Sequence, residues 1–219
     1  MTKFIALIPA RIGSTRIKKK NIKLLKGKPL IYYSIKASLN SKLINRTIVL
    51  TDSLKIKKIS EKFGAEIPFL RPKRISTKNT PMLTTVRYSL RKLNLANKSS
   101  DYIVLLPPTS PLRTGSDIDK ACKMIKKNKE ADCLVSTFKV KESYHPSKIM
   151  ETNGKYLKRL KYKKKLSFYI RNGPAILITK LSRVNKYLIG GKVLNYIMPE
   201  KKSLDINYPE DFKKVKKLI

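Results

Sequence analysis

Short apolar runs separated by amphipathic stretches set the pattern of this chain. Phe4–Ile8, Arg46–Thr51, Tyr102–Leu106 and Asp132–Phe138 are largely aliphatic with little polar alternation, which predicts strands buried on both faces, as in a parallel sheet. A shorter strand is predicted at Ile67–Leu70. Between these runs the apolar positions recur at helical spacing. One helix is predicted over about Leu30–Leu39, with Leu30, Ile31, Ile35 and Leu39 toward the core. Gly27-Lys28-Pro29 makes the turn before it, placing Pro at a helix start. A second helix over about Leu54–Phe63 has Asp52-Ser53 to cap it and Gly64 to end it. Further helices are predicted over Pro81–Leu95 and from Ser116-Asp117 to near Lys129. Strand and helix alternate through residue 138, which predicts an α/β fold with a mostly parallel central sheet and right-handed crossovers.

The pattern changes after Lys139. Residues 139–170 are polar and rich in Lys and Tyr, with Asn153-Gly154 as a hairpin turn, so this segment reads as an inserted β-arm. Ala175–Thr179 and Lys192–Met198 return as strands, and Pro209–Ile219 closes as a helix. No internal repeat or linker-like composition interrupts the chain, so residues 1–219 read as one domain with an arm.

Composition narrows the class. Hydrophobic residues make up 41% of the 219 positions, which suits a globular protein. No apolar run is long enough to span a membrane, and the N-terminus lacks the pattern of a signal peptide; a cytoplasmic protein is expected. Cys122 and Cys133 match no metal or redox spacing and read as reduced thiols. The charge is extreme, with 51 Lys plus Arg against 14 Asp plus Glu and a net +37. That balance raises nucleic acid as a partner. The basic residues are spread over the whole chain, however, and the runs Lys18–Lys20 and Lys161–Lys165 are short. Aromatic residues interleaved in an RNA-binding pattern are missing. An anionic small-molecule substrate is therefore favoured, with nucleic acid the weaker alternative.

Three segments carry candidate chemistry. IPARIGSTRIKKKN, residues 8–21, follows the first strand, where open α/β sheets bind ligands. Gly13 allows close backbone approach to a phosphate, while Arg11, Arg16 and Lys20 bring countercharge. The spacing is neither a Walker loop nor G-x-G-x-x-G, and on spacing alone a solvated basic loop explains it equally well. PPTSPLR, residues 107–113, is a proline-stiffened turn presenting Thr109, Ser110 and Arg113; by itself it is better explained as a strand-to-helix turn whose hydroxyls cap the next helix. Asp205-Ile206-Asn207 places two oxygen-bearing side chains on one side of an extended segment, a pattern suited to a hard cation such as Mg²⁺. The alternative is a turn capping the last helix, which Glu210 and Asp211 fit better. His145 is the single histidine and has no nucleophile or acid partner in sequence.

Taken in order, these segments resemble the acylneuraminate cytidylyltransferase family, the CMP-sialic acid synthetases. The resemblance runs through IPARIGSTRIKKKN, Phe69-Leu70-Arg71-Pro72, Pro108–Arg113, His145-Pro146-Ser147-Lys148 and SLDINYPEDF (203–212), with the family's spacing over nearly the whole chain. Relatives that activate Kdo share the start of the first motif but lack the PTSPLR turn, which favours the sialate branch. The resemblance implies a Rossmann-like nucleotidyltransferase fold, helices on both faces of the sheet and a dimerisation arm in a homodimer. It implies transfer of CMP from CTP to a nonulosonic acid, with Mg²⁺ and release of pyrophosphate. By that resemblance Ala10, Arg11, Gly13, Ser14, Arg16, Lys20, Asn21 and Arg71 hold the nucleotide. Thr109, Ser110, Lys148, Arg171 and Asn172 meet the sugar acid, and Asp205 and Asn207 the metal. Arg11, Lys20 and Asp205 carry catalysis.

The chain departs from the family pattern in four places. Pro107 stands where Gln is common before PTSPLR, and Asn207 replaces the second Asp of the DID motif. Asn79 replaces the Asp of RPxxLAxDxT, and Arg171–Leu177 reads RNGPAIL in place of RPNGAIY. These changes bear on the sugar and the metal more than on cytidylyl transfer. A different sugar acid, or a different nucleotide, is the alternative within the same reaction class.

Overall fold

A computed structural model of the protein describes residues 2–95, 101–162, 167–171 and 173–219. Asn172 and positions 163–165 of the second basic run lie outside these residues. The chain runs β1 (Phe4–Pro9), the small hairpin β2 (Leu24–Leu25) and β3 (Lys28–Pro29), α1 (Leu30–Leu39), β4 (Ile44–Leu50), α2 (Leu54–Lys62) and α3 (Met82–Lys92). It continues with β5 (Tyr102–Leu105), α4 (Gly115–Lys127), β6 (Cys133–Lys139), β7 (Met150–Asn153), β8 (Tyr156–Arg159) and β9 (Tyr169–Ile170). β10 (Leu177–Lys180), β11 (Val193–Ile197) and α5 (Pro209–Lys216) complete it.

The central sheet has the order β11-β6-β10-β5-β1-β4, with β9 pairing with the end of β6. β4, β1 and β5 are parallel, and so are β6 and β11. β10 lies antiparallel to both β5 and β6. The sheet is thus mixed. β10 is a reversed strand inserted between parallel neighbours, because the arm after β6 returns the chain from the sheet's C-terminal edge.

Alternation along β1 divides the core. Phe4, Ala6 and Ile8 pack with Ile31 and Ile35 of α1, Ile56 of α2 and Ile118 and Ile125 of α4 on one face. Ile5 and Leu7 pack with Val86 and Leu90 of α3 on the other. Side chains on successive strand residues point to opposite faces, so a continuous apolar run requires helices on both. A smaller cluster joins Ile17 and Leu25 to Ile206, Phe212 and Val215, docking α5 beneath the first loop.

Three local expectations change. Ile67–Leu70 forms no strand; a single bridge joins Ile48 to Glu66. Pro68 has no N–H for a ladder, and the backbone rejoins the edge of β4 only where Arg71 N donates to Thr51 O at 2.7 Å. Leu39 is 46% exposed instead of core, since it falls in the last turn of α1. α4 starts at Gly115, ahead of the Ser116-Asp117 start expected, and Thr114 caps it: its hydroxyl accepts from Asp117 N while Asp117 Oδ2 accepts from Thr114 N at 2.9 Å. The threonine three residues before an acid makes a reciprocal capping box that a serine inside the turn lacks. Ser53 caps α2 as the sequence predicts, accepting from Ile56 N, and Gly64 follows its end at φ +88°.

The arm holds the β7–β8 hairpin, turning at Asn153-Gly154 with Gly154 at φ +79°. Every residue of both strands is exposed. The two-residue strand β9 ties the returning chain to Phe138 and Lys139.

Candidate active site

A cavity of about 490 Å³ opens beyond the C-terminal ends of β1 and β5. Its walls are Pro9, Arg11, Ser14–Ile17, Lys20 and Asn21 of the first loop, Arg71 with Thr77, Lys78, Thr80, Met82 and Thr85, the turn Pro107–Thr109, and Gly173. The first and second motifs therefore share one crevice, as their positions after parallel strands predict.

The first loop is held by its own backbone and by neighbours. Ala10 N donates to Leu50 O at 2.9 Å, and Ile12 N donates to Asp52 Oδ1 at 2.9 Å. The Asn21 amide donates to Arg11 O at 2.8 Å, so this side chain braces the loop. Ala10 is fully buried, and neither it nor Gly13 lines the cavity. Arg11, Ser14, Arg16, Lys20 and Asn21 do.

The cations are tied to other elements. Lys20 Nζ donates to Ile206 O at 2.7 Å. Burial lowers its pKa from the usual lysine value, with Asp205 acting against that shift and Arg16 and Arg11 adding to it. Arg16 stacks its guanidinium on the Tyr208 ring, 5.0 Å from the centroid. Arg71 is buried and gives Nη2 to Ile75 O, yet its Nε has no partner among the described residues. Burial lowers the Arg71 pKa, opposed by Asp52. A buried donor left unmade is costly.

Behind the turn at 107–110 sits Asp205. Its Oδ1 accepts from Ser110 Oγ at 3.4 Å and its Oδ2 from Asn207 Nδ2 at 2.7 Å. Asp205 and Asn207 thus share one side of the segment, as their spacing predicts, and contact each other. Asp211 accepts from Asn207 N and Tyr208 N, each at 2.8 Å, which is the capping role its position suggests. Gly173, at φ +102°, closes this end: a Cβ there would stand 3.2 Å from Ser110 Oγ and 3.5 Å from Asp205 Oδ1.

Ser110, Asp205 and Asn207 lie next to the cavity lining without being part of it. Lys148 sits on the arm, paired with Glu142 at 3.3 Å, and Arg171 is exposed; neither lines the cavity. His145 accepts from Ser147 N and packs edge-on against Tyr162 and Phe168, a structural role in the arm. Sequence reasoning missed Thr77, Lys78, Thr80, Met82 and Thr85. Their signal was a cluster of hydroxyls in the long loop and helix start after Arg71-Pro72, a segment with no strand motif to flag it.

A crevice of about 490 Å³ lined by cations at the C-terminal ends of strands in an α/β sheet is the setting of a nucleotide-binding class of protein, and comparison with known sequences agrees. A sequence profile described as cytidylyltransferase matches residues 5–219, and the chain belongs to that family. It is 34% identical over 222 residues to the N-acylneuraminate cytidylyltransferase of Escherichia coli O18:K1:H7, covering 96% of this chain and 51% of that protein. It is 36% identical over 142 residues to the CMP-N,N'-diacetyllegionaminic acid synthase of Legionella pneumophila, covering 65% of this chain and 61% of the other. The alignments thus span about half to three fifths of these relatives' lengths. A solved CMP:2-keto-3-deoxy-manno-octonic acid synthetase complexed with CTP superposes with a TM-score of 0.73 at 16% identity, covering 99% of this chain and 98% of that one, which shows a shared fold.

Proposed function

We propose that this chain transfers CMP from CTP to a nonulosonic, sialic-acid-like sugar acid and releases pyrophosphate. The observation that carries the reading is that Arg11, Arg16, Lys20 and Arg71 line one cavity, with the Ser110–Asp205 pair adjoining its other wall. In the proposed reaction the sugar's anomeric hydroxyl oxygen bonds to the α-phosphorus, its proton passes to solvent, and the bond to pyrophosphate breaks. No protein nucleophile takes part. Catalysis is then positioning and charge neutralisation, as in phosphoryl transfer generally.

Each cation has a part in this reading. Arg11, Arg16 and Lys20 offset the triphosphate charge from the first loop. Arg71 meets the nucleotide from the opposite wall of the cavity. Thr109, on the cavity wall, meets the sugar acid in this reading, with Ser110 behind it bonded to Asp205; Lys148, Arg171 and Asn172 are assigned to the same ligand by the family resemblance alone.

The residues at Asp205 fit a divalent cation. Its hydrogen-bond donors Ser110 and Asn207 are both neutral, and among the described residues no cation stands within ion-pair distance of its carboxylate. Mg²⁺ is commonly held by one or two carboxylates together with substrate phosphates and water. Asp205 would hold it, joined by the Asn207 oxygen on turning over the amide that now gives its nitrogen to Asp205, and bound there it would supply charge neutralisation at the phosphates.

The reading extends to the assembly. The 1–219 chain would act as one catalytic unit in the cytoplasm, in a homodimer built through the arm. Met150 at 44% and Leu157 at 66% exposure lie on one face of the hairpin, an apolar patch that a second copy would cover. No helix among the described residues is long and apolar enough to cross a membrane.

The test is pyrophosphate release with CTP and Mg²⁺ across Neu5Ac, legionaminic, pseudaminic and Kdo acids. Release with one of the nine-carbon acids is the expected result and names the substrate. Silence with intact CTP binding would move the reading to another sugar, and loss of CTP binding would overturn it.

A further inference from the structure

Arg113 ends the PPTSPLR motif, yet its side chain turns away from the cavity and is only 2% exposed. One nitrogen, Nη1, donates to Pro107 O at 2.9 Å, Ser110 O at 2.8 Å and Ala175 O at 3.1 Å. Nη2 donates to the Ser34 hydroxyl of α1, which in turn donates to Pro107 O at 3.3 Å. The guanidinium therefore fastens both ends of the 107–110 turn to the segment after Gly173 and to a core helix.

A buried cation is an expensive way to tie backbone together. No carboxylate pairs with it directly, and burial lowers its pKa to about 9, against a smaller raising effect from Asp205. The side chain stays charged at neutral pH. What it holds is specific: Pro107, Pro108, Thr109 and Gly173 all line the cavity, and a Cβ at Gly173 would be 3.2 Å from Ser110 Oγ. The two walls at this end are separate in sequence and touch without a covalent or ladder connection at the contact. Nη1 reaches carbonyls on both walls while Nη2 holds Ser34 of α1, a division of partners over two nitrogens that a single ammonium does not offer.

We propose that Arg113 is a positioning residue that sets the separation between the 107–110 turn and Gly173, and through it the fit of the sugar acid beside Asp205. The inference rests on the functional reading above. It assigns Arg113 no contact with substrate. The nucleotide end, built from the first loop and Arg71, is anchored by other bonds and stays in place without it.

The test compares Arg113→Lys and Ser34→Ala with wild type, measuring sugar-acid KM, kcat and CTP Kd. Arg113→Lys keeps the charge and loses the fork. Ser34→Ala removes one link of the same network with a small change in volume, so it decides the matter if the lysine variant does not fold. The expected result is a sugar-acid KM raised by ~10-fold in Arg113→Lys and less in Ser34→Ala, with CTP Kd within about twofold of wild type. A purely structural role would instead weaken both ligands alike or neither, and either outcome in a folded variant overturns the inference alone. Wild-type protein that binds CTP but releases no pyrophosphate with any sugar acid would overturn the functional reading and the inference with it.

Discussion

The Asn207 amide donates to Asp205 Oδ2 at 2.7 Å while its oxygen lies 3.5 Å from Arg16 Nη1. A neutral side chain thus sits between a carboxylate and a cation that belong to different walls of the site. Asn207→Asp would replace that donor with a second carboxylate beside the first. Two close acids ionise together only with a counter-cation present, so divalent-cation affinity should rise ~10-fold or more. Mn²⁺ binding followed by electron paramagnetic resonance, with CTP present, measures this without relying on turnover. Asp205→Ala should lower turnover ~100-fold or more with the thermal transition unchanged; wild-type activity in that variant would remove Asp205 from the metal assignment.

Lys20 makes the nucleotide end sensitive to alkaline pH. Burial lowers its folded pKa below 10.5 despite Asp205. As pH rises through that lowered value the ammonium is lost and CTP affinity should fall. Stability of the unliganded protein should rise over the same window, up to 10.5, because the unfolded chain still holds a proton that the folded chain has released. Lys20→Arg should flatten the alkaline fall in CTP affinity, as read by titration calorimetry across pH.

Arg71 lines the cavity. Arg71→Lys retains one charge and loses the guanidinium fork. The CTP Kd should rise ~10-fold while the sugar-acid KM changes little. Equal CTP affinity in the variant would show that the guanidinium meets no part of the nucleotide.

The capping box at Thr114 and Asp117 lies outside the cavity. Thr114→Ala should cost about 1 kcal/mol of stability with kcat and KM unchanged, as measured by urea unfolding and steady-state assay. Burial raises the Asp117 pKa, but the bonds from Lys202 and Thr114 outweigh it and leave the carboxyl below its usual 3.8. Its contribution is therefore present above that value and lost as pH falls through the lowered one. Asp117→Asn should remove that part of the acid sensitivity.

The exposed hairpin gives a prediction for assembly. Wild-type protein should scatter light as a dimer, and Leu157→Lys, at a site 66% exposed in the single chain, should shift it to monomer with an intact fold. A monomeric wild type at micromolar concentration would detach the arm from dimerisation.

Much of the fold was legible because the interior imposes local rules. A strand buried on both faces must be continuously apolar, and β1, β4, β5 and β6 were marked by that alone. A helix that buries one face must repeat near every fourth residue, and α1 begins and ends where its pattern does. Errors fell where a backbone group without a marked side chain decided the outcome. Pro68 broke a ladder at Ile67–Leu70 that its neighbours favoured, and α4, capped by Thr114, starts at Gly115 ahead of the Ser116-Asp117 start expected.

The sequence by itself determined the apolar strands, the presence and order of the helices, and the three charged or proline-stiffened motifs, since each depends on residues close together in the chain. The tertiary structure alone decided the reversed direction of β10, the inward turn of Arg113, the contact of Lys20 with Ile206 and the entry of Thr77–Thr85 into the cavity wall. Those depend on which carbonyl or hydroxyl a distant segment brings near, 186 positions away for Lys20, and no periodicity along the chain records such a partner.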